Sequence, residues 1–284
     1  TDTELANVSG FDTLSVATNA TTGTITLADA NIASGASLTV DATNQTNTNF
    51  IIDASNEADG TLTINRGAST GTATITLGQG NDTYTSTSTG VDTVTATAGN
   101  NTISTGAGAD AITLGSGGDT VTAGAGDDTI TVATANFDSD HTVTGGAGTD
   151  TVTISDAGTH VDADFTNFTT VETISFGNNA TTLTLGAESA GAGIVTVTDG
   201  TAATTLTIGA GHTNNTTVAL STGNDSITAT NMTANLTVTA AVASIDGNDT
   251  LTGGTGSDTL SITHDGTDLT AAELANLSGF DTLS

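Results

Sequence analysis

A nine-residue unit, x-G-x-G-x-D-x-U-x with U aliphatic in nearly every copy, recurs along this chain and leaves few folds open to it. Five copies run without a gap from residue 87 to 131: TSTGVDTVT, ATAGNNTIS, TGAGADAIT, LGSGGDTVT and AGAGDDTIT. LGQGNDTYT (77–85) precedes them and GGAGTDTVT (145–153) follows. A second cluster holds LSTGNDSIT (220–228), SIDGNDTLT (244–252) and GGTGSDTLS (253–261). The glycine two residues before the acid is present in all ten copies. Such a unit supplies one tight turn and one short strand, so two units make a coil of roughly 18 residues with a strand on each face. Stacked coils lie about 4.8 Å apart. The expected fold is therefore all-β: a parallel β-roll or β-helix solenoid with short helical junctions.

In that geometry Val94, Ile103, Ile112, Val121 and Ile130 point inward and the flanking threonines point out. Turns one coil apart share an edge, so Asp92, Asp110 and Asp128 form one column, and Asn101 with Asp119 another. Like charges stacked at this spacing cost free energy unless a cation sits between them. Carboxylates and backbone carbonyls are hard oxygen ligands, and calcium takes six to eight of them at about 2.3–2.6 Å in irregular arrangements that magnesium resists. The acids therefore point to Ca2+ held between turns.

The copies at 105–131, 145–153 and 253–261 resemble the nonapeptide repeats of RTX (repeats-in-toxin) proteins, G-G-x-G-x-D-x-U-x. The resemblance implies that Asp82, Asp92, Asp110, Asp119, Asp128, Asp150, Asp225, Asp249 and Asp258 bind calcium. It also implies that the carbonyls of glycine turns complete the sites: Gly106, Gly108, Gly115, Gly117, Gly124, Gly126, Gly146, Gly148, Gly254 and Gly256. Asn101 departs from the pattern at an acid position, and the units at 87, 96, 220 and 244 lack glycine at the second position. RTX proteins are typically secreted unfolded from Gram-negative bacteria and fold on meeting extracellular calcium. SGFDTLS and TTVETIS further resemble segments of RTX-type bacterial surface-layer proteins.

Charge and composition narrow the remaining classes. The net charge is −30 with a single basic residue, Arg66, so nucleic acid and anionic membranes are disfavoured partners. The compact chain repels itself unless a cation or salt is present. With no Cys, disulfides and Cys-based zinc sites are excluded. No apolar run is long enough to insert in a membrane. His141, His160, His212 and His264 match no zinc or triad spacing and read as solvated loop histidines. Tyr84, at a U position, reads as core. No nucleophile motif, phosphate loop or redox constellation is present, so the chain reads as non-enzymatic.

Five segments follow: 1–76, irregular β-solenoid after a helical junction; 77–155, the first RTX block; 156–219, a junction and irregular solenoid, with a break expected at 160–182; 220–262, the second block; and 263–284, the start of the next tandem repeat. TELANVSGFDTLS (3–15) and AELANLSGFDTLS (272–284) match at 11 of 13 positions, a period of about 269 residues, which reads as one period of a longer polymer. Thr270 to Glu273 and Thr1 to Glu4 carry capping-box patterns that predict a helical turn leading into SGFDTLS. FTNFTTVETIS (165–175) looks like a diverged copy of that junction, and Phe11, Phe165, Phe168, Phe176 and Phe280 are expected to plug the solenoid at such places. The function expected is a calcium-dependent structural module of a secreted, extracellular bacterial cell-surface protein, self-associating into a surface layer or filament, with surface polysaccharide as a further partner. The alternatives are a spacer or binding segment of an RTX adhesin, with ice contact through Thr ladders, or the tail of a secreted hydrolase or toxin.

Overall fold

The structure is a computed structural model describing residues 5, 8–16, 24–46, 49–264 and 269–284. It packs as two units. One holds the described residues up to Val132 with Asp140–Asp150, the other Ala133–Ser139 and Thr151–Ser284. In the first, strands alternate along the chain between two parallel sheets. One sheet takes Thr13–Ser15, Ser37–Ala42, Thr61–Arg66, Thr83–Ser86, Thr102–Ser104, Thr120–Ala125 and Thr142–Ala147. The other takes Thr24–Ala28, Asn49–Asn56, Thr72–Thr76, Asp92–Ala96, Ala111–Leu114 and Thr129–Val132. The second unit repeats the scheme, with Thr173–Phe176, Thr196–Thr198, Thr216–Ala219, Leu236–Ala241 and Thr259–Thr263 in one sheet. Gly158–His160, Thr181–Leu185, Thr204–Ile208, Ser226–Thr228 and Thr250–Thr252 lie in its other sheet. This is the expected all-parallel β-solenoid.

The repeat sets the register. Ile112 pairs with Val94 behind it and Ile130 ahead, and Val121 with Ile103. All five are buried, at 1 % exposure or less, so the alternating aliphatics fill a narrow core between the sheets. Threonines stack outside them: Thr113 lies between Thr95 and Thr131, and Thr120 between Thr102 and Thr142. β-branched residues suit such an exposed pleated surface. Pairing runs through residues 160–182, where a break was expected, with Gly158–His160 lying along Thr181–Leu183. Phe165 and Phe168 do plug that region. They meet Phe137 edge-on at centroid distances of 5.2 and 5.4 Å, and Phe137 also packs on His160. Phe176 is buried too, whereas Phe11 and Phe280 are only half-buried.

The Thr270 capping box forms: the Glu273 N–H donates to the Thr270 hydroxyl at 3.3 Å and the Thr270 N–H to the Glu273 carboxylate. A 3-10 turn, Glu273–Asn276, follows and leads to the strand Thr282–Leu283. Thr1 to Glu4 lies outside the described residues. The kinship of the 165–175 junction is visible in the backbone. Leu277–Ser278 and then Gly279 at φ 73° correspond to Phe168–Thr169 and then Thr170 at φ 50°. Thr170 is the one non-glycine residue with positive φ among the described residues, and it stands where its relative carries glycine.

A left-handed conformation costs an L-residue about 1–2 kcal/mol, and a β-branched one is a clear outlier there. Thr170→Gly is expected to stabilise the protein by about 1 kcal/mol after the entropy of glycine is counted. Urea unfolding at fixed calcium checks this; an unchanged or lower midpoint contradicts it.

Candidate metal centre

Each repeat acid directly follows its turn and opens a strand, which turns its side chain into the end of the core. There the acids join into columns. The Asp92 N–H donates to Asp110 Oδ1 at 2.7 Å, the Asp110 N–H to Asp128 Oδ1 at 2.7 Å, and the Asp128 N–H to Asp150 Oδ1 at 2.9 Å. On the opposite edge the Leu62 N–H donates to Asp82, the Asp82 N–H to Asn101 Oδ1 and the Asn101 N–H to Asp119 Oδ1, at 2.8 to 2.9 Å. In the second unit the Thr204 N–H donates to Asp225 and the Asp225 N–H to Asp249, both at 2.8 Å. Asp258 accepts from the Leu236 N–H at 2.7 Å and donates its own N–H to Asp281 at 2.9 Å. The nine repeat aspartates are buried, at 2 % exposure or less.

One oxygen per acid is thus bound into the backbone, and the fate of the other divides the set. In Asp110, Asp119, Asp128 and Asp225 it is buried with no hydrogen-bond partner. Burial raises all four acids, Asp110 and Asp128 to about 6 and Asp225 to about 7. In Asp82, Asp249 and Asp258 the second oxygen also accepts a backbone N–H, from Gly78, Asp246 and Gly254. A buried carboxylate oxygen with nothing to bind is costly, and a hard cation satisfies it.

The turn glycines bring carbonyls to the same edges. Gly106, Gly108, Gly117, Gly124, Gly126, Gly146 and Gly148 have positive φ, whereas Gly115, Gly254 and Gly256 do not. The approach is close at Gly126, where a Cβ would lie 2.0 Å from the carbonyl oxygen of Gly108 one coil back. Bare backbone is required there on both counts. Unpartnered carboxylate oxygens, with glycine carbonyls in the adjoining turns, are an all-oxygen donor set of the kind calcium takes. When bound, the ion neutralises the carboxylates; the chain's part is to hold the oxygens in place through the amide-to-carboxylate ladder.

Two positions on the ladders are filled differently. Asp92 receives Arg66 on one oxygen, as a buried ion pair, and the Tyr84 hydroxyl at 2.7 Å on the other. Arg66 also donates to the Gly71 carbonyl at 2.5 Å. The single basic side chain of the protein therefore stands where a cation is needed, and protein donors engage both oxygens of Asp92. His141 takes an acid's place: its Nδ1 accepts the Asp119 N–H at 3.1 Å. The reading of the histidines as solvated is corrected here, since His141, His160 and His212 are buried and only His264 is exposed. His141 and His212 each meet a polar group there, and His160 packs its ring on Phe137.

Sequence reasoning also passed over Asp199. Its carboxylate accepts the Thr204 hydroxyl at 2.5 Å and the Ser221 N–H at 3.1 Å, and it lies beside Asp225. It belongs to no repeat, and no periodic signal marks it. Ser189 and His212 stand 3.1 Å apart, with the other ring nitrogen 3.0 Å from Thr216. Both Ser189 and His212 are fully enclosed, so this relay ties the helix Ala187–Ala192 to the next coil.

With this geometry in view, comparison with known proteins identifies the repeats. The RTX calcium-binding nonapeptide repeat matches residues 86–121, 113–132 and 245–261, in four copies. The chain therefore carries calcium-binding RTX repeats. No curated protein and no solved structure matches it.

Two outcomes follow from these side chains. Acids whose pKa is raised on folding destabilise the fold above that pKa, and the penalty is relieved as they take up protons. In excess chelator, the folded fraction read by circular dichroism is expected to rise as pH falls from about 7 towards about 4, where the unfolded chain also protonates. A folded fraction that falls through this window contradicts the assignment. Arg66→Met, which strands Asp92 as a buried charge, is expected to cost about 3–5 kcal/mol at saturating calcium. Urea denaturation measures it; a loss under about 1 kcal/mol means Asp92 is neutralised by other means.

Proposed function

We propose that this chain, built on calcium-binding RTX repeats, is a calcium-dependent structural module of a secreted bacterial cell-surface protein that forms or stiffens a surface layer or filament. The observation that carries the reading is the set of buried, unpartnered carboxylate oxygens in the repeat columns. They couple order in the solenoid to an ion that the chain does not supply, and calcium is abundant outside cells. Asp110, Asp119, Asp128 and Asp225, with the carbonyls of glycine turns such as Gly108 and Gly126, are the proposed ligands. No helix among the described residues is long and apolar enough to cross a membrane.

Self-association is supported by the recurring junction segment. Thr13–Ser15 pairs in parallel with Thr39 to Asp41, and its second occurrence, Thr282–Leu283, pairs in parallel with Thr259 and Leu260. One sequence thus serves both to lead into a stack of coils and to follow one, as tandem modules require. Stacking end to end also covers sheet edges that would otherwise pair at random. Surface polysaccharide is the partner that would anchor such a layer.

Calcium titration of the chelated protein, with circular dichroism and light scattering read together, tests this. A cooperative gain of β signal with rising scattering is expected. A gain of β signal with flat scattering favours a monomeric adhesin spacer instead, and full β signal in chelator, unmoved by calcium, would falsify calcium-coupled folding.

A further inference from the structure

The coil that precedes the first nonapeptide unit has no acid in the ladder position. Thr63 pairs with Thr83, so Leu62 stands where the next coil has Asp82, and it contributes only its N–H. A carboxylate reaches the same end of the core by another route. Glu57 follows the strand Asn49–Asn56, and its side chain folds inward until the residue is fully buried. Its Oε1 accepts two N–H groups of its own turn, from Asp59 at 3.0 Å and Gly60 at 2.5 Å. Its Oε2 is buried and has no hydrogen-bond partner. Glycines make room for it: a Cβ at Gly78 would fall 2.6 Å from Oε2, and one at Gly60 2.8 Å from Oε1.

Two further carboxylates converge on this one. Ala28 pairs with Asn56, which sets Asp29 beside Glu57, and the 3-10 turn Asp29–Asn31 is pinned there. The Asn31 side chain accepts the Ala28 N–H and donates to the carbonyls of Leu5 and Val8, each at 2.7 Å. Asp59 comes from the Glu57 turn itself. One carboxylate oxygen from each of Asp29, Glu57 and Asp59 lies within 4.8 Å of the other two. Oxygens on opposite sides of a calcium ion are about 4.6–5.2 Å apart, whereas magnesium holds them within about 4.2 Å. Asp29 and Asp59 are exposed, which leaves an approach for the ion and for water ligands. The chain has no protein cation to spare, since Arg66 is committed to Asp92.

We propose that Asp29, Glu57 and Asp59 form a calcium site outside the nonapeptide repeats, closing the column that continues with Asp82. The exposed pair captures the ion and the buried Glu57 oxygen fixes it. The site needs only that the chain meets calcium, and it holds whether the protein builds a layer or a spacer.

Native mass spectrometry of the full chain, chelated and then resaturated with calcium, tests the site by ion count. Glu57→Gln keeps the acceptor for the Asp59 and Gly60 amides but removes the charge, and it is expected to bind one ion fewer than the wild type. The surface double variant Asp29→Asn/Asp59→Asn is expected to lose the same single ion, and it decides the matter if Glu57→Gln fails to fold. Unchanged counts in the variants overturn this site alone. A wild type that binds no calcium overturns it together with the calcium reading of the repeats.

Discussion

The structure depends on burying carboxylates along the turns of a solenoid core and finding something to hold them. The ladder from Asp92 through Asp110 and Asp128 to Asp150 solves half of the problem, because each carboxylate accepts the amide of the preceding acid. That bond fixes both the coil spacing and the side-chain direction. It leaves a second oxygen, which in Asp110, Asp119, Asp128 and Asp225 is buried without a hydrogen bond. A neutral amide would have served the ladder equally well, as Asn101 shows by accepting the Asp82 N–H while donating to Asp119. Acids at the other positions therefore carry a requirement beyond folding geometry, and that requirement is for positive charge.

The ladder positions show several answers to one local problem. Asp92 is neutralised from within by Arg66 and Tyr84. Asp82, Asp249 and Asp258 are satisfied by extra backbone N–H groups. His141 offers a ring nitrogen as the acceptor in an acid's place. The unpartnered acids have none of these backbone donors; Asp110, Asp119 and Asp128 lie in consecutive units that carry both glycines, whereas the Asp225 unit carries only the second. Where the turn is rich in glycine its carbonyls can crowd together, and an ion that uses those carbonyls becomes the best counter-charge available.

Most of the fold was legible because its constraint is periodic. The aliphatic residue two places after each acid predicted the pairing of Val94, Ile112 and Ile130, and the acid columns followed from the same step. What was not legible breaks the period. His141 falls in the ladder only because the step from Val121 to Val143 is 22 residues, lengthened by the segment that carries Phe137. Arg66 pairs with an acid 26 positions away, and one basic residue offers no pattern from which to infer its partner. Glu57 and Asp199 act from turns of irregular length, where residue type alone does not separate a buried ligand from a solvated turn. The kinship of the 165–175 junction could be read, but not that Thr170 would keep the glycine conformation of its relative.

The way the columns continue bears on how such modules could join. The Asp258 amide does not end its ladder on water; it donates to Asp281 at 2.9 Å, and Asp281 belongs to the recurring SGFDTLS segment. The other copy of that segment carries Asp12, whose carbonyl accepts the Thr39 N–H at 2.9 Å as the first sheet begins. The segment therefore brings an acid and a strand together at each occurrence. A tandem copy placed on it would extend the sheet by backbone pairing and the acid column by one further carboxylate. Growth of the solenoid and demand for cations would then rise in step, so a longer assembly would be the more strictly dependent on calcium.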